Sequence, residues 1–280
     1  MTELRIRQPH FADGMWYNAT ATSLQKAIQG YLEQVPAQTE IGELIGLVAP
    51  HAGHRFSGHV AAAAFATLKP GIFGTVVLIG PDHRGAALGQ TATLDVDAWR
   101  TPLGDIPVNQ PFLQALQAEI PLKLIASDDE HSLEIELPFL QITLKKFKLV
   151  PLMMGDQSPA ACQQLGAALV KVIQSQAGRI LLVASSDLSH FFDDDTARHL
   201  DQNTVRFMLD MNAAGLANHA ETGRHVGEST ACGAGPVAVV IHAAQTLGAT
   251  QATLLKYATS ADVYPDKERV VGYAAVAFSK

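Results

Sequence analysis

Three histidines, His51, His54 and His59, fall within nine residues of Leu47-Val48-Ala49-Pro50-His51-Ala52-Gly53-His54-Arg55-Phe56-Ser57-Gly58-His59, where an apolar run stops in a loop and an alanine-rich run begins. An imidazole at such a place can ligate a transition metal or move a proton. The design recurs twice. Val76-Val77-Leu78-Ile79 leads into Gly80-Pro81-Asp82-His83, and Ile180-Leu181-Leu182-Val183-Ala184 leads into Ser185-Ser186-Asp187-Leu188-Ser189-His190. If the first two runs form neighbouring strands, His51 and His83 face one pocket at metal-binding separation. Asp187 could orient an imidazole or bind a cation, and His190 could serve as general acid, general base or ligand. Helix capping would account for the serines and the aspartate, but it does not ask for His190.

Two further stretches carry reactive groups. Ser127-Asp128-Asp129-Glu130-His131-Ser132-Leu133-Glu134 reads as the first turn of a helix, with acids suited to its positive end and His131 and Glu134 paired on one face. Pro138 would kink that helix and tilt His131 toward the pocket. Cys232, in Thr230-Ala231-Cys232-Gly233-Ala234-Gly235-Pro236, precedes a helix whose N-terminus would favour thiolate, the form that binds metal or attacks electrophiles. Cys162, in a helical run, reads as a small buried side chain. His10, His199, His219, His225 and His242 have no comparable context.

The elements that must hold these residues alternate. Strands are expected at 44–49, 75–79, 91–96, 122–125, 148–153, 179–184, 253–259 and 270–278. Helices are expected at 23–35, 58–68, 110–119, 130–146, 158–176, 194–211, 213–221 and 235–247, with Ser57 as the N-cap of the second. Such alternation predicts an α/β fold, a central mostly parallel or mixed sheet with helices on both faces. With no linker or repeat, one domain over 1–280 is expected, residues 1–42 forming an arm and helix packed on it.

Composition narrows the function class. The 280 residues are 48% apolar and 17% charged with net charge −7, which describes a globule and not a disordered chain. No Lys/Arg block favours a nucleic-acid backbone; Lys145-Lys146-Phe147-Lys148 reads as the polar end of a helix. No window reaches the ~18 apolar residues of a membrane span. Two cysteines cannot make a disulfide scaffold, so a cytoplasmic location is expected.

Taken together, Pro50-His51-Ala52-Gly53, Gly80-Pro81-Asp82-His83, Asp129-Glu130-His131-Ser132-Leu133-Glu134 with Leu137-Pro138, Ser185-Ser186-Asp187-Leu188-Ser189-His190 and Cys232-Gly233 resemble the Memo-like family, called AmmeMemoRadiSam system protein B in prokaryotes. Trp99-Arg100-Thr101-Pro102-Leu103-Gly104 resembles that family's Arg-Thr-Pro-Leu segment. The resemblance implies a domain similar to the catalytic subunit of class III extradiol dioxygenases, which open catechol rings with non-haem Fe(II). It implies a metal at His51, His83 and Cys232, and His190 as the acid/base of the pocket. Asp187 and His131 join His190 as expected catalytic residues, while His54, Ser186 and Glu134 are expected substrate contacts. A thiol stands where the dioxygenases have a carboxylate; it is softer, and it favours Cu(I) or Zn while still allowing Fe(II). Glu228 is a substitute carboxylate ranked below Cys232.

The expected function is redox or oxygenase-type chemistry on a small molecule, with Fe(II) ahead of Cu or Zn as cofactor. The alternatives are a non-enzymatic iron-, copper- or peptide-binding protein and a Zn- or Cys-dependent hydrolase. The family's association with an AMMECR-type protein and a radical SAM enzyme implies a joint pathway.

Overall fold

Short apolar runs become strands and amphipathic runs become helices, in the order the hydrophobic periods dictate. The computed structural model describes residues 3–37, 41–226 and 230–280. The amino-terminal half holds β1 (Ile6–Arg7), α1 (Ala21–Glu33), β2 (Leu44–Ala49), α2 (His54–Phe65), β3 (Thr75–Pro81), β4 (Thr91–Leu94), β5 (Ala98–Thr101), β6 (Gly104–Pro107), α3 (Gln110–Gln117), β7 (Lys123–Ile125) and α4 (Leu137–Leu144). The remainder holds β8 (Lys148–Met154), α5 (Pro159–Ser175), β9 (Ile180–Ser185), β10 (His190–Phe192), α6 (Asp194–Leu209), α7 (Ala213–Val226), α8 (Ala234–Thr246), β11 (Gln251–Thr259) and β12 (Val270–Ser279).

The main sheet runs β10-β12-β2-β9-β3-β8-β4-β7, with β11 also paired to β12. Pairs β2–β9, β9–β3 and β3–β8 are parallel, whereas β12 is antiparallel to β2 and β11, so the sheet is mixed as expected. The parallel strands are apolar along almost their whole length, which is what burial on both faces requires. Helix α8 packs with α5 and α7 against β9 and β2, while α1 and α4 pack with α2. Tyr17, Leu24 and Ile28 of the first 42 residues belong to the same buried cluster as the sheet.

Three expectations need correction. β2 and β3 are not neighbours, because β9 lies between them. Helix α2 starts at His54 with Gly53 as its N-cap, and Ser57 instead donates its hydroxyl to Ala52 O at 2.8 Å. The expected helix 130–146 is a loop through Leu133, a single 3-10 turn Glu134–Glu136 and then α4, with Pro138 in the first turn of α4. Proline lacks the N–H that a helix interior needs, so it starts this helix and does not kink one.

β1, β5 and β6 form a separate three-stranded sheet not expected from the sequence. Two-residue strands such as β1 carry no readable period. α2, with Ala61-Ala62-Ala63-Ala64 all buried, lies close against the chain around it because its side chains are small.

Candidate metal centre

His51 and Asp187 follow the ends of β2 and β9, and His83 follows β3, so all three leave the sheet at the same edge. Strand β9 brings Asp187 between the other two loops, where its carboxylate accepts from His51 N at 2.8 Å and Ala52 N at 3.3 Å. Burial raises the Asp187 pKa to about 7, the backbone donors and His83 opposing it. The rings of His51 and His83 are 5.3 Å apart although their strands do not touch.

The loop before α4 supplies the third imidazole. Gly80 lets it come near: a Cβ there would stand 2.6 Å from Ser132 Oγ, so a side chain on β3 would push the loop away. His131 stacks on His83 at 4.7 Å between centroids and meets His51 edge-on at 5.3 Å. One ligand atom from each of His51, His83 and His131 lies within 4.8 Å of the other two. Cys232 enters through His51, with its Sγ 3.3 Å from Nε2 and 3.6 Å from Asp187 O. Gly233 permits this, since a Cβ there would overlap Ser185 O.

Glu130 is not among the residues expected from the sequence to serve the site. It is fully buried, and its carboxylate accepts from His83 N at 2.6 Å, His83 Nδ1 at 2.9 Å, and the backbone N–H groups of His131 and Ser132 at 2.9 Å each. Burial alone would raise its pKa, but these donors take it down to about 2. The arrangement leaves His83 Nε2 free, as in a carboxylate–histidine pair that orients a metal ligand. Its signal was its place beside His131, which the supposed helix dipole explained away.

Electrostatics keeps His51, His131 and His190 neutral. Burial, with the neighbouring imidazoles, pushes His51 well below its ordinary pKa; burial also takes His131 to about 4 and lowers His190. Neutral imidazole is the ligating form. Cys232 departs from expectation: burial and the nearby Asp187 push its pKa up, outweighing any help from the helix N-terminus, so the metal-free protein holds a thiol.

Of the other expected residues, His190 opens β10 and lines, with Asp187 and His131, a cavity of about 470 Å³. Trp16, Phe56 and Tyr273 line it too, and Arg55 and Arg269 stand among its lining residues. Trp16 was not expected there; its ring lies 4.6 Å from that of His131. The aromatic cluster Phe11, Trp16 and Tyr17 in a chain only 6% aromatic was the available hint.

The three expected substrate contacts are placed elsewhere. His54 is buried between Tyr17 and Phe139 with Nε2 2.9 Å from Ile135 O. Ser186 receives Gly233 N at 2.9 Å and so pins the cysteine loop. Glu134 does not pair with His131 along a helix; it accepts from Arg7, from Tyr17 Oη at 2.6 Å and from the backbone of His10 and Phe11. Glu228 lies outside the described residues.

A model of the Memo-like protein family matches residues 7–277. The chain belongs to the Memo-like family. It is 33% identical over 279 residues to a MEMO1 family protein of Methanosarcina mazei, covering 98% of this chain and 99% of that one. A MEMO1 family protein of Methanopyrus kandleri is 35% identical over 286 residues, again with 98% and 99% covered. Among solved structures, an uncharacterized protein of Escherichia coli K12 aligns over 83% of this chain and 99% of its own at a TM-score of 0.49 and 14% identity, a level that carries neither fold nor function. No helix among the described residues of this family member is long and apolar enough to cross a membrane.

The residues present fit a metal. Among the described residues His131 Nδ1 is buried and makes no hydrogen bond, Glu130 Oε1 lying 3.2 Å from it, and the cluster holds three imidazoles and a thiol with no lysine or arginine paired to the carboxylates beneath it. Such a donor set suits a borderline transition ion.

Proposed function

We propose that this Memo-like protein binds a transition metal at His51, His83 and Cys232, with His131 as a further imidazole, and carries out redox or oxygenase-type chemistry on a small molecule in the adjoining cavity. The observation that carries the reading is the approach of three imidazole ligand atoms to within 4.8 Å of one another above a buried, hydrogen-bonded carboxylate. Iron is the first choice, with copper or zinc as alternatives allowed by the thiol. When bound, such an ion supplies one-electron chemistry or Lewis acidity next to the cavity.

The chain's own residues do the rest. Glu130 holds the His83 ring, and Asp187 holds the backbone of His51 and Ala52, so the ring of one and the backbone of the other are set before a ligand arrives. His190 lines the cavity and is kept neutral by burial, which suits it to take a proton from a bound hydroxyl group and return it later. Trp16, Phe56 and Tyr273 offer apolar surface that excludes water and favours a planar molecule.

A second reading rests on one contact, Cys232 Sγ at 3.3 Å from His51 Nε2, the separation of a thiol and its base in a cysteine hydrolase. The raised thiol pKa and lowered imidazole pKa oppose ion-pair formation there, so it ranks second.

The test is metal analysis by mass spectrometry on untagged protein purified anaerobically, comparing the wild type with His83→Ala, His131→Ala and Cys232→Ser. Iron bound in the wild type and lost in the variants, followed by substrate-dependent O₂ uptake, is the expected result. Metal without O₂ uptake would favour a binding protein. Metal-independent activity abolished by Cys232→Ser would favour the hydrolase.

A further inference from the structure

Behind His51 lies a buried chain of polar side chains that the roles above do not use. Ser185, the last residue of β9, has Oγ 2.8 Å from His51 Nδ1, 2.6 Å from Ser132 O and 2.9 Å from Glu136 Oε1. Ser185, Ser132 and Glu136 are all fully buried. Among the described residues Glu136 has no cation paired to it and its Oε2 has no hydrogen-bond partner. Burial, with the neighbouring Asp187, pushes its pKa well above the carboxylate range.

Counting hydrogens decides the arrangement. A serine hydroxyl has one hydrogen and two lone pairs, and a carbonyl oxygen can only accept. The shortest of the three contacts runs to the Ser132 carbonyl, so the Ser185 hydrogen is directed there. Both remaining partners must then donate to Oγ. His51 does so as its Nδ1–H tautomer, and a carboxyl oxygen does so only when protonated.

We infer that Glu136 is a positioning residue: as a neutral carboxylic acid donating to Ser185, it holds that hydroxyl with its hydrogen on Ser132 O, and so keeps His51 in the Nδ1–H tautomer with the Nε2 lone pair directed toward Cys232. The consequence for metal binding rests on the function proposed above; the tautomer does not. This network differs from that beneath His83, where an ionised Glu130 accepts directly from Nδ1. Two ligand imidazoles would thus share a tautomer imposed by carboxyl groups in opposite protonation states.

The experiment uses the full-length, metal-free protein with ¹⁵N-labelled histidine. Long-range ¹H–¹⁵N NMR, with His51 assigned by its loss in His51→Asn, reads which nitrogen carries the proton. Infrared difference spectra between wild type and Glu136→Gln look for a protonated carboxylic-acid band. The expected results are Nδ1–H in the wild type and in Glu136→Gln, whose amide still donates to Ser185, together with an acid band missing from the glutamine variant. In Glu136→Met and Ser185→Ala the tautomers should mix. Fe(II) titrated anaerobically should bind about 10–100-fold more weakly to those two, and within about threefold of wild type to Glu136→Gln. An Nε2–H tautomer in the wild type, absence of the acid band, or an unchanged tautomer in Glu136→Met would overturn the inference. The wild-type NMR and glutamine-variant spectra decide even if Glu136→Met does not fold. Wild-type protein that takes up no Fe(II) would sink the metal reading and leave the tautomer of His51, and with it the role of Glu136, decided by NMR.

Discussion

Two buried polar clusters meet along residues 128–136, and they end differently. On one side Arg7 donates to Asp128 from Nε and Nη2 at 2.9 and 2.8 Å, and also pairs with Glu134, which in turn receives Tyr17 and the backbone of His10 and Phe11. Its guanidinium lies 4.2 Å from the Trp99 ring. On the other side Glu130 and Asp187 hold His83 and His51, with no guanidinium or ammonium among their hydrogen-bond partners in the described residues. A network whose charges close on one another is scaffold; one whose carboxylates end on the backbone and rings of histidines, with ring nitrogens to spare, is arranged to receive a cation. Glu134 and His131, three residues apart, fall on opposite sides of that division.

The variant expected to separate the two clusters most is Arg7→Met. It leaves two buried carboxylates without their cation and should cost about 3–5 kcal/mol of stability in urea titrations. The same experiment on His131→Ala should show a far smaller loss, because no partner charge is stranded. If the two losses were alike, the distinction between scaffold and site would fail.

Next in size is a pH effect on His54, which belongs to neither network. Burial takes its pKa from 6.5 to about 4, partly offset by its bond to Ile135 O. The unfolded chain therefore holds the proton between those values and the folded one does not. Stability is fully present above pH 6.5 and is lost as pH falls toward 4, by on the order of 3 kcal/mol from this group alone. His54→Phe should flatten the stability curve across that window by one proton. An unchanged slope would show that His54 is not held neutral.

Two smaller effects probe the clusters one at a time. Glu130→Gln should weaken metal binding by about 10–100-fold while lowering metal-free stability much less than Arg7→Met does, as isothermal titration and urea unfolding would report. Tyr17→Phe removes one hydrogen bond from Glu134, which keeps its other donors, and should cost about 1–2 kcal/mol with metal affinity unchanged. A change in affinity would mean that the arm and the histidine cluster are coupled.

The strand ends and their histidines were legible because they depend on local signals. β2, β3 and β9 lie within two residues of their expected bounds, since continuous apolar runs closed by Pro, Gly or Ser stop at identifiable places. The stretch 127–134 was misread for the same kind of reason. Acids before an apolar run look like a first helical turn, yet here Glu130 turns inward to His83 and Asp128 to Arg7. Those partners lie 47 and 121 positions away, beyond any periodic signal. Glu136 was invisible too, because in sequence it is one more acid before α4.

The alternating α/β order, the apolar strands and the types of side chain that leave them are all set by the order of residues, because they follow from local propensity, period and turn chemistry. Long-range pairing was needed to place β9 between β2 and β3, so that Asp187 reaches the backbone of His51 across 136 residues. It also settles which acids are ionised and which imidazole nitrogens are free. Those properties depend on burial and on hydrogen-bond partners, and neither exists until distant strands have paired.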